Sequence, residues 1–403
     1  MCSELFVTGL RRMVAAALLL VATTRVVASD KDLAPADTSG FVTASLITTT
    51  PTASAWSAFG HTALRMECPQ HNLDYVFTYE VEGTSFFYAR LLAGKAKARY
   101  MAVPTNEFLE VMGGEGRGVS QQELNLAREE KQELWRLLDE DMAEGPTHRF
   151  TLLSHCASVA IDKVEQCSGK EIDWGQWQED MLKNNGDLLR VYTHHAPWAE
   201  FLFITLIGNH YGGHYGQQQR MSPQMLESQA ERATLTSPGD SLPRPLLTGK
   251  NVRLIEEKQA KNVAAPTPLI IFGLLLAVAV MVTLAERKGR LKTAARCLDI
   301  LLLAGQTAAG IALLVNLWGS DVFGHVWNWY LIPFNPLPAI LWLCLGRRKW
   351  FGKIYLFYTA VLVAFIAATP FLSQLDLSHQ LITAALAVRC FSNYLRYKNH
   401  RQE

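Results

Sequence analysis

No excess of either charge is present. Lys and Arg number 38 against 37 Asp and Glu in 403 residues, a formal net charge of +1. Such a balance calls for no strongly acidic or basic partner, so nucleic acid is not an expected one. Cysteine is sparse. Seven cysteines without a CxxC pair exclude a zinc ribbon and a dense disulfide scaffold. Gly113 to Gly118 (GGEGRG) follows no clear strand and lacks the Lys-Ser/Thr of a phosphate cradle. His210 and His214 have the i,i+4 spacing of helical ligands, but Gly212 and Gly213 oppose a helix and no HExxH glutamate accompanies them. No metal and no cofactor are expected.

Long apolar runs are present, and they are unevenly placed. Residues 1–29 read as a secretory signal. Arg11-Arg12 precede a short apolar run from Met13, and Val26-Val27-Ala28 offers small residues before a cut at Ser29. Residues 30–265 then form the exported domain, and 266–403 a transmembrane helical domain. Thr267 to Ala285 is long enough to span, and Arg287, Lys288, Arg290, Lys292 and Arg296 follow it. Positive charge marks the cytoplasmic side. Further apolar segments at Leu298–Trp318, Pro333–Leu345, Ile354–Leu372 and Leu381–Tyr394 bring the total to about five spans. Their basic flanks all fall on one side. The outer loop from Gly319 to Leu331 carries His325, Asn328, Trp327, Trp329 and Tyr330. The aromatics read as an interfacial belt. His325 and Asn328 are candidates for substrate binding, facing the exported domain.

Within that domain, Phe41–Thr48, Phe59–Met66, Asp74–Tyr79 and Gly94–Val103 read as strands, the middle two as a hairpin. Phe86 to Leu92 reads as a short helix or an aromatic patch. One amphipathic helix is expected over Ser120–Ala143, ended by Gly145-Pro146. Thr147–Leu153 reads as extended. Ser154 is a good N-cap, which puts Cys156 in the first turn of the next helix. Leu153, Cys156, Ala157, Ala160 and Val164 share one face. A small Cys on such a face is ordinarily core. At a helix start it also meets outward-pointing backbone N–H groups, which favour the thiolate, the reactive form. His61, beside Gly60 at the start of a strand, is the candidate base and is expected to be accessible.

These residues carry a resemblance. Phe59-Gly60-His61-Thr62-Ala63-Leu64-Arg65, Tyr79, Phe86-Phe87-Tyr88, Gly94 and His155-Cys156-Ala157-Ser158 resemble the periplasmic domain of the Bacteroides-type lipoprotein N-acyltransferases. That family usually has Asn-Cys where this chain has His155-Cys156. The order of His on a strand and Cys on a later helix is also similar to the circularly permuted papain-like group that includes lecithin:retinol acyltransferase. The resemblance implies an α+β fold, a permuted papain-like periplasmic domain followed by an all-α transmembrane bundle. It implies a His61–Cys156 dyad, and it favours Tyr79 over Asp74 and His71 as a third catalytic group.

The expected activity is thiol acyltransfer without a cofactor. Cys156 takes an acyl chain from a membrane phospholipid as a thioester, and the resemblance implies that it passes the chain to the N-terminal amine of a lipoprotein. The expected location is the bacterial inner membrane, multi-pass, with the catalytic domain in the periplasm. Two alternatives stay open: a papain-like cell-wall peptidase or amidase, and a non-catalytic membrane assembly or sensor protein in which Cys156 forms a disulfide. Cys68 and Cys167 are the better disulfide candidates.

Overall fold

An alternating run forms the strand that carries His61, beside a strand rich in Thr and Ile, and a capped amphipathic run forms the helix that carries Cys156. The computed structural model describes residues 42–54, 57–83, 87–145, 148–150, 154–175, 185–208, 222–236, 243–258, 266–319, 327–345, 351–371 and 376–399. The signal segment 1–29, His210, His214 and His325 lie outside the described residues. Phe41–Glu403 clusters as one compact unit.

The first half runs β1 (Thr43–Thr49), β2 (His61–Cys68), β3 (Leu73–Val81), α1 (Phe87–Leu92), β4 (Lys97–Pro104), α2 (Thr105–Gly114), β5 (Val119–Glu123), α3 (Arg128–Glu144), β6 (His148–Arg149) and α4 (Cys156–Ser168). After them come β7 (Glu171–Asp173), α5 (Asn185–Thr193), α6 (Pro197–Ile207), α7 (Pro223–Ala230), β8 (Thr234–Thr236), β9 (Arg244–Pro245) and β10 (Val252–Ile255). Seven strands make one antiparallel sheet in the order β10-β5-β1-β2-β3-β4-β6, and β7-β8-β9 make a small second one.

The single helix expected over Ser120–Ala143 is two elements. Val119–Glu123 pairs with β1 on one side and β10 on the other, and the helix begins at Arg128. The Glu130 carboxylate fixes that start by accepting the Ala127 N–H at 2.6 Å. Leu124 and Leu126 are buried in the core from the link between the two elements.

The strand period of two sorts the sheet into two faces. Leu46, Leu64, Met66, Phe77, Tyr79 and Tyr100 face α3 and α4, meeting Leu134, Leu138, Ala160, Ile161 and Val164. Each such Leu or Ile buried contributes about 1.5–3 kcal/mol. Lys163 on α4 also reaches Asp141 on α3 at 2.8 Å. The Cys-bearing helix is thereby fixed against the sheet. On the other face, Ile47, Ala63, Val76 and Val119 pack with Phe108 of α2.

Among the described residues, five α-helices follow Pro266: α8 (Pro268–Arg287), α9 (Lys292–Gly319), α10 (Leu337–Leu345), α11 (Gly352–Ala368) and α12 (Leu377–Asn399). By length and composition α8, α9 and the segment Gly352–Phe371 can each cross a membrane. Helix α12 packs along α8 and α11. It carries Arg389, which bonds Asp299 of α9 at 2.7 Å and Glu286 of α8 at 3.1 Å. A buried guanidinium is tolerated there because two carboxylates and the Thr283 hydroxyl surround it.

Candidate active site

Gly60 decides where His61 sits. Its φ is +76°, and an added Cβ would collide with the Gln224 side-chain amide and come within 2.5 Å of the Thr49 carbonyl oxygen. Only glycine fits, so the chain turns there and enters β2 at His61. The expectation of an accessible ring is corrected: the His61 side chain is 18% exposed. The cause is that β1 ends level with the ring, Thr49 opposite His61, and β3 runs one residue past it.

Register then chooses the ring's partners. Ala63 pairs with Thr78, so His61 lies level with Glu80, and Thr78 and Glu80 share its face. His61 Nε2 is 2.6 Å from Thr78 Oγ1, and Thr78 Oγ1 donates to Glu80 Oε1 at 2.7 Å. The Thr78 proton is committed to the carboxylate, so Nε2–H is the donor to Thr78. That leaves Nδ1 as the ring nitrogen open to Cys156, whose charge acts on the ring.

Helix α4 begins at Cys156 itself, with His155 as the extended N-cap at φ −130° and ψ 176°, one residue later than the Ser154 cap expected. The Ser158 hydroxyl accepts the His155 N–H at 3.0 Å and donates to the His155 carbonyl at 3.1 Å. The helical ladder starts with Val159 N–H bonding to His155 O. The amides of Cys156 and Ala157 therefore precede it and point out of the helix end. Cys156 is a free thiol, as are the buried Cys68 and Cys167.

The electrostatics follow from this packing. Burial resists ionisation of Cys156, but the charge of His61 and hydrogen bonds from His155 and His61 overcome it and bring its pKa to about 5. Burial likewise opposes charge on His61, while the thiolate and Glu80 outweigh it and raise its pKa above the ordinary 6.5. At neutral pH these directions describe a thiolate beside an imidazolium.

Tyr79 takes a different place. It points to the α3–α4 side of the sheet, is buried, and its ring centroid lies 5.4 Å from that of Tyr100. Burial pushes its pKa up to about 12, partly countered by the nearby side chain of Ser154, two residues before Cys156. Thr78, not Tyr79, bonds the His61 ring. Asp74 is held by Arg65 through two bonds of 2.7 Å and by Thr105. Asn328 is buried; its Nδ2 donates to Thr205 O at 2.8 Å and its Oδ1 accepts Tyr330 N–H at 2.9 Å. Of the outer-loop aromatics, Trp327 and Trp329 are exposed, whereas Tyr330 is buried.

Four residues near the dyad carry no local signal of their own. Thr78 and Glu80 depend on cross-strand register. His155 is visible only as the departure from Asn-Cys. Arg117, from the Gly-rich loop, is buried with its Nε 2.9 Å from Thr50 O and also bonds Thr49, the strand neighbour of His61. Among the described residues no cluster of three His, Cys, Asp or Glu could hold a metal.

No curated protein and no solved structure matches the chain. Two family models do. Residues 37–179, which include His61, Tyr79 and Cys156, match the Lnb N-terminal periplasmic domain. Residues 258–400, which include all five helices after Pro266, match the Lnb transmembrane domain. With both domains of one family present in order, the chain belongs to the Bacteroides-type lipoprotein N-acyltransferase (Lnb) family, as a membrane protein with a periplasmic domain.

Proposed function

We propose that this protein moves an acyl chain from a membrane phospholipid, through a thioester on Cys156, to the N-terminal amine of a lipoprotein. The observation that carries the reading is the placement of Cys156 at the first residue of a helix with His61 beside it, where the charge of His61 lowers the thiol pKa to about 5. Family membership supplies the lipoprotein connection.

The thiolate attacks the ester carbonyl of the phospholipid and forms a carbon–sulfur bond. The developing oxyanion meets the outward amides at the start of α4, which stabilise it without reorganising. The carbon–oxygen bond of the ester breaks, and the His61 imidazolium gives its Nδ1 proton to the departing alkoxide, releasing a lysophospholipid. The acceptor amine then attacks the thioester. His61, now neutral, takes a proton from the nitrogen, the carbon–sulfur bond breaks, and the thiolate–imidazolium pair is restored with an amide as product. A thioester is reactive enough to acylate an amine when water is excluded, which suits a dyad enclosed by strands and helix.

The reading places the catalytic domain on the periplasmic side of the inner membrane. The deciding experiment incubates the full-length chain with phospholipid vesicles and measures the intact mass. An added fatty acyl mass on Cys156, removed by hydroxylamine and absent from Cys156→Ser, is the expected result. No adduct, or a peptide adduct, overturns it in favour of a peptidase or a non-enzyme.

A further inference from the structure

Helix α6 is apolar but for Glu200 on one side. Its sequence, PWAEFLFITLI, contains one charged residue, Glu200. A helix of this kind is either buried in protein or surrounded by lipid. Here both conditions hold on different sides. Ala199 and Phe203 pack with Ala58 and Phe59, the residues directly before Gly60-His61, with Phe59 and Phe203 ring centroids 5.1 Å apart. Phe201 stacks on His379 of α12 at 4.1 Å, and Thr205 Oγ1 lies 2.6 Å from His379 Nε2. Trp198 and Leu202, one helical turn apart, remain 45% exposed each. Glu200 is two residues from either, on the opposite side of the helix.

The exposed stripe continues the lipid-facing surface of the first membrane helix. The Trp198 indole N–H donates to Pro266 O at 2.9 Å, at the start of α8, and Trp198 and Phe201 both pack on Phe272. Leu269, Ile270 and Leu274 of α8 are exposed at the same level. An 11-residue helix is about 16 Å long, half of a hydrocarbon core of about 30 Å. Its one internal hydroxyl, Thr205, bonds back to Phe201 O at 2.6 Å, and the carbonyls of Thr205 and Ile204 near its end accept from Asn328 Nδ2 and Gly208 N–H. No polar group on the Trp198–Leu202 stripe needs water, as a lipid-exposed surface requires.

We infer that α6 lies within the periplasmic-side leaflet and that its Trp198–Leu202 face is covered by phospholipid acyl chains. This deepens the acyltransfer reading and rests on it for its catalytic meaning: one side of the helix meets donor lipid while the other supports the turn that delivers His61. The helix lies between the two matched family regions, in residues covered by neither model.

The test uses the full-length Cys156→Ser chain, so that labelling is independent of thioester chemistry. It is placed in phosphatidylethanolamine–phosphatidylglycerol vesicles containing a phospholipid with a diazirine in its acyl chain. After photolysis, labelling of the peptide with Trp198 and Leu202 should fall within about twofold of the peptide with Leu269 to Leu274, since both face hydrocarbon. Leu202→Lys should lower that labelling about tenfold, as a charge avoids the acyl region. Labelling no higher than that of α3, or labelling by a water-soluble carbene precursor in its place, overturns the inference. Acyl loading of the wild-type chain is measured separately. Loading without α6 labelling removes the helix from the model alone, and labelling without loading removes the acyltransfer reading alone.

Discussion

Thr78 Oγ1 accepts from His61 Nε2 at 2.6 Å and donates to Glu80 Oε1 at 2.7 Å. The hydroxyl thus fixes the tautomer of His61 and ties the ring to a carboxylate 3.7 Å away. Replacing Thr78 with Val keeps shape and removes the bond. Acyl loading of Cys156 should fall about tenfold, the equivalent of one hydrogen bond of about 1.4 kcal/mol. Thr78→Ser should restore most of it. Equal rates in Thr78→Val and wild type would show that the ring is oriented by other contacts.

Reactivity of Cys156 should follow two limbs of pH. A thiol pKa lowered to about 5 means that thiolate forms as pH rises through about 5 rather than through 9. The raised pKa of His61 means that its imidazolium is present below that value and is lost as pH climbs through it. Alkylation by iodoacetamide, followed by mass, should therefore be rapid across neutral pH. In His61→Ala the midpoint should move up, because the largest favourable influence on the thiolate is gone. A wild-type midpoint near the ordinary thiol range would break the ion-pair description.

His155 is a second imidazole on the same sulfur, at the position where the resembling family usually has Asn. His155→Asn should raise the alkylation midpoint, but by less than His61→Ala, since His61 contributes more through its charge. The helix should still start at Cys156, because the Ser158 hydroxyl keeps its bonds to the His155 backbone. An unchanged midpoint would assign His155 to capping alone.

Cap and periodicity are local signals, so Cys156 at a helix start and His61 at a strand start are legible in the chain. Apolar length and basic flanks are local too, and they mark the membrane half from Pro266 onward. Thr78 and Glu80 are not legible, because which strand residues flank His61 depends on a register set by the whole hairpin. Arg117 reaches Thr49 from 68 residues away, a distance no spacing rule covers. Ser120–Glu123 reads as helix because the Leu residues after it suit a 3.6-residue period. Two neighbouring strands, β1 and β10, override that preference.

The basic cluster from Arg287 to Arg296 should lie on the cytoplasmic side. A reporter fused after Arg290 should be active only if it is of the cytoplasmic type, and periplasmic-type activity there would invert the scheme. The same end of the bundle holds Arg389 between Glu286 and Asp299. Arg389→Met leaves the two carboxylates with Arg396 as their remaining cation. The loss should be about 3 kcal/mol, read as a lower Tm in detergent. An unchanged Tm would mean that Arg396, which also bonds Glu286, carries the pair alone.

Asn328 separates two roles that its position in the outer loop leaves open, substrate binding and loop anchoring. Its amide donates to the Thr205 carbonyl of α6 and accepts the Tyr330 N–H, and Gly208 at the end of α6 has no room for a Cβ because that amide fills the space. Tyr330 in turn stacks on His379 at 4.1 Å. The residue therefore joins the outer loop, α6 and α12 at one point. Asn328→Ala leaves a buried carbonyl and a buried N–H without partners, a loss of about 1–3 kcal/mol. On the anchoring role, Tm falls, and acyl loading of Cys156 recovers at temperatures where the fold is intact. On the binding role, Tm holds while loading is lost, or while the thioester accumulates because the acceptor amine no longer docks. Asn328→Asp discriminates further. It retains the acceptor for Tyr330 but puts a carboxylate against the Thr205 carbonyl, so an anchoring role predicts a Tm at least as low as that of Asn328→Ala. A Tm equal to wild type would instead show that the amide is free to serve substrate.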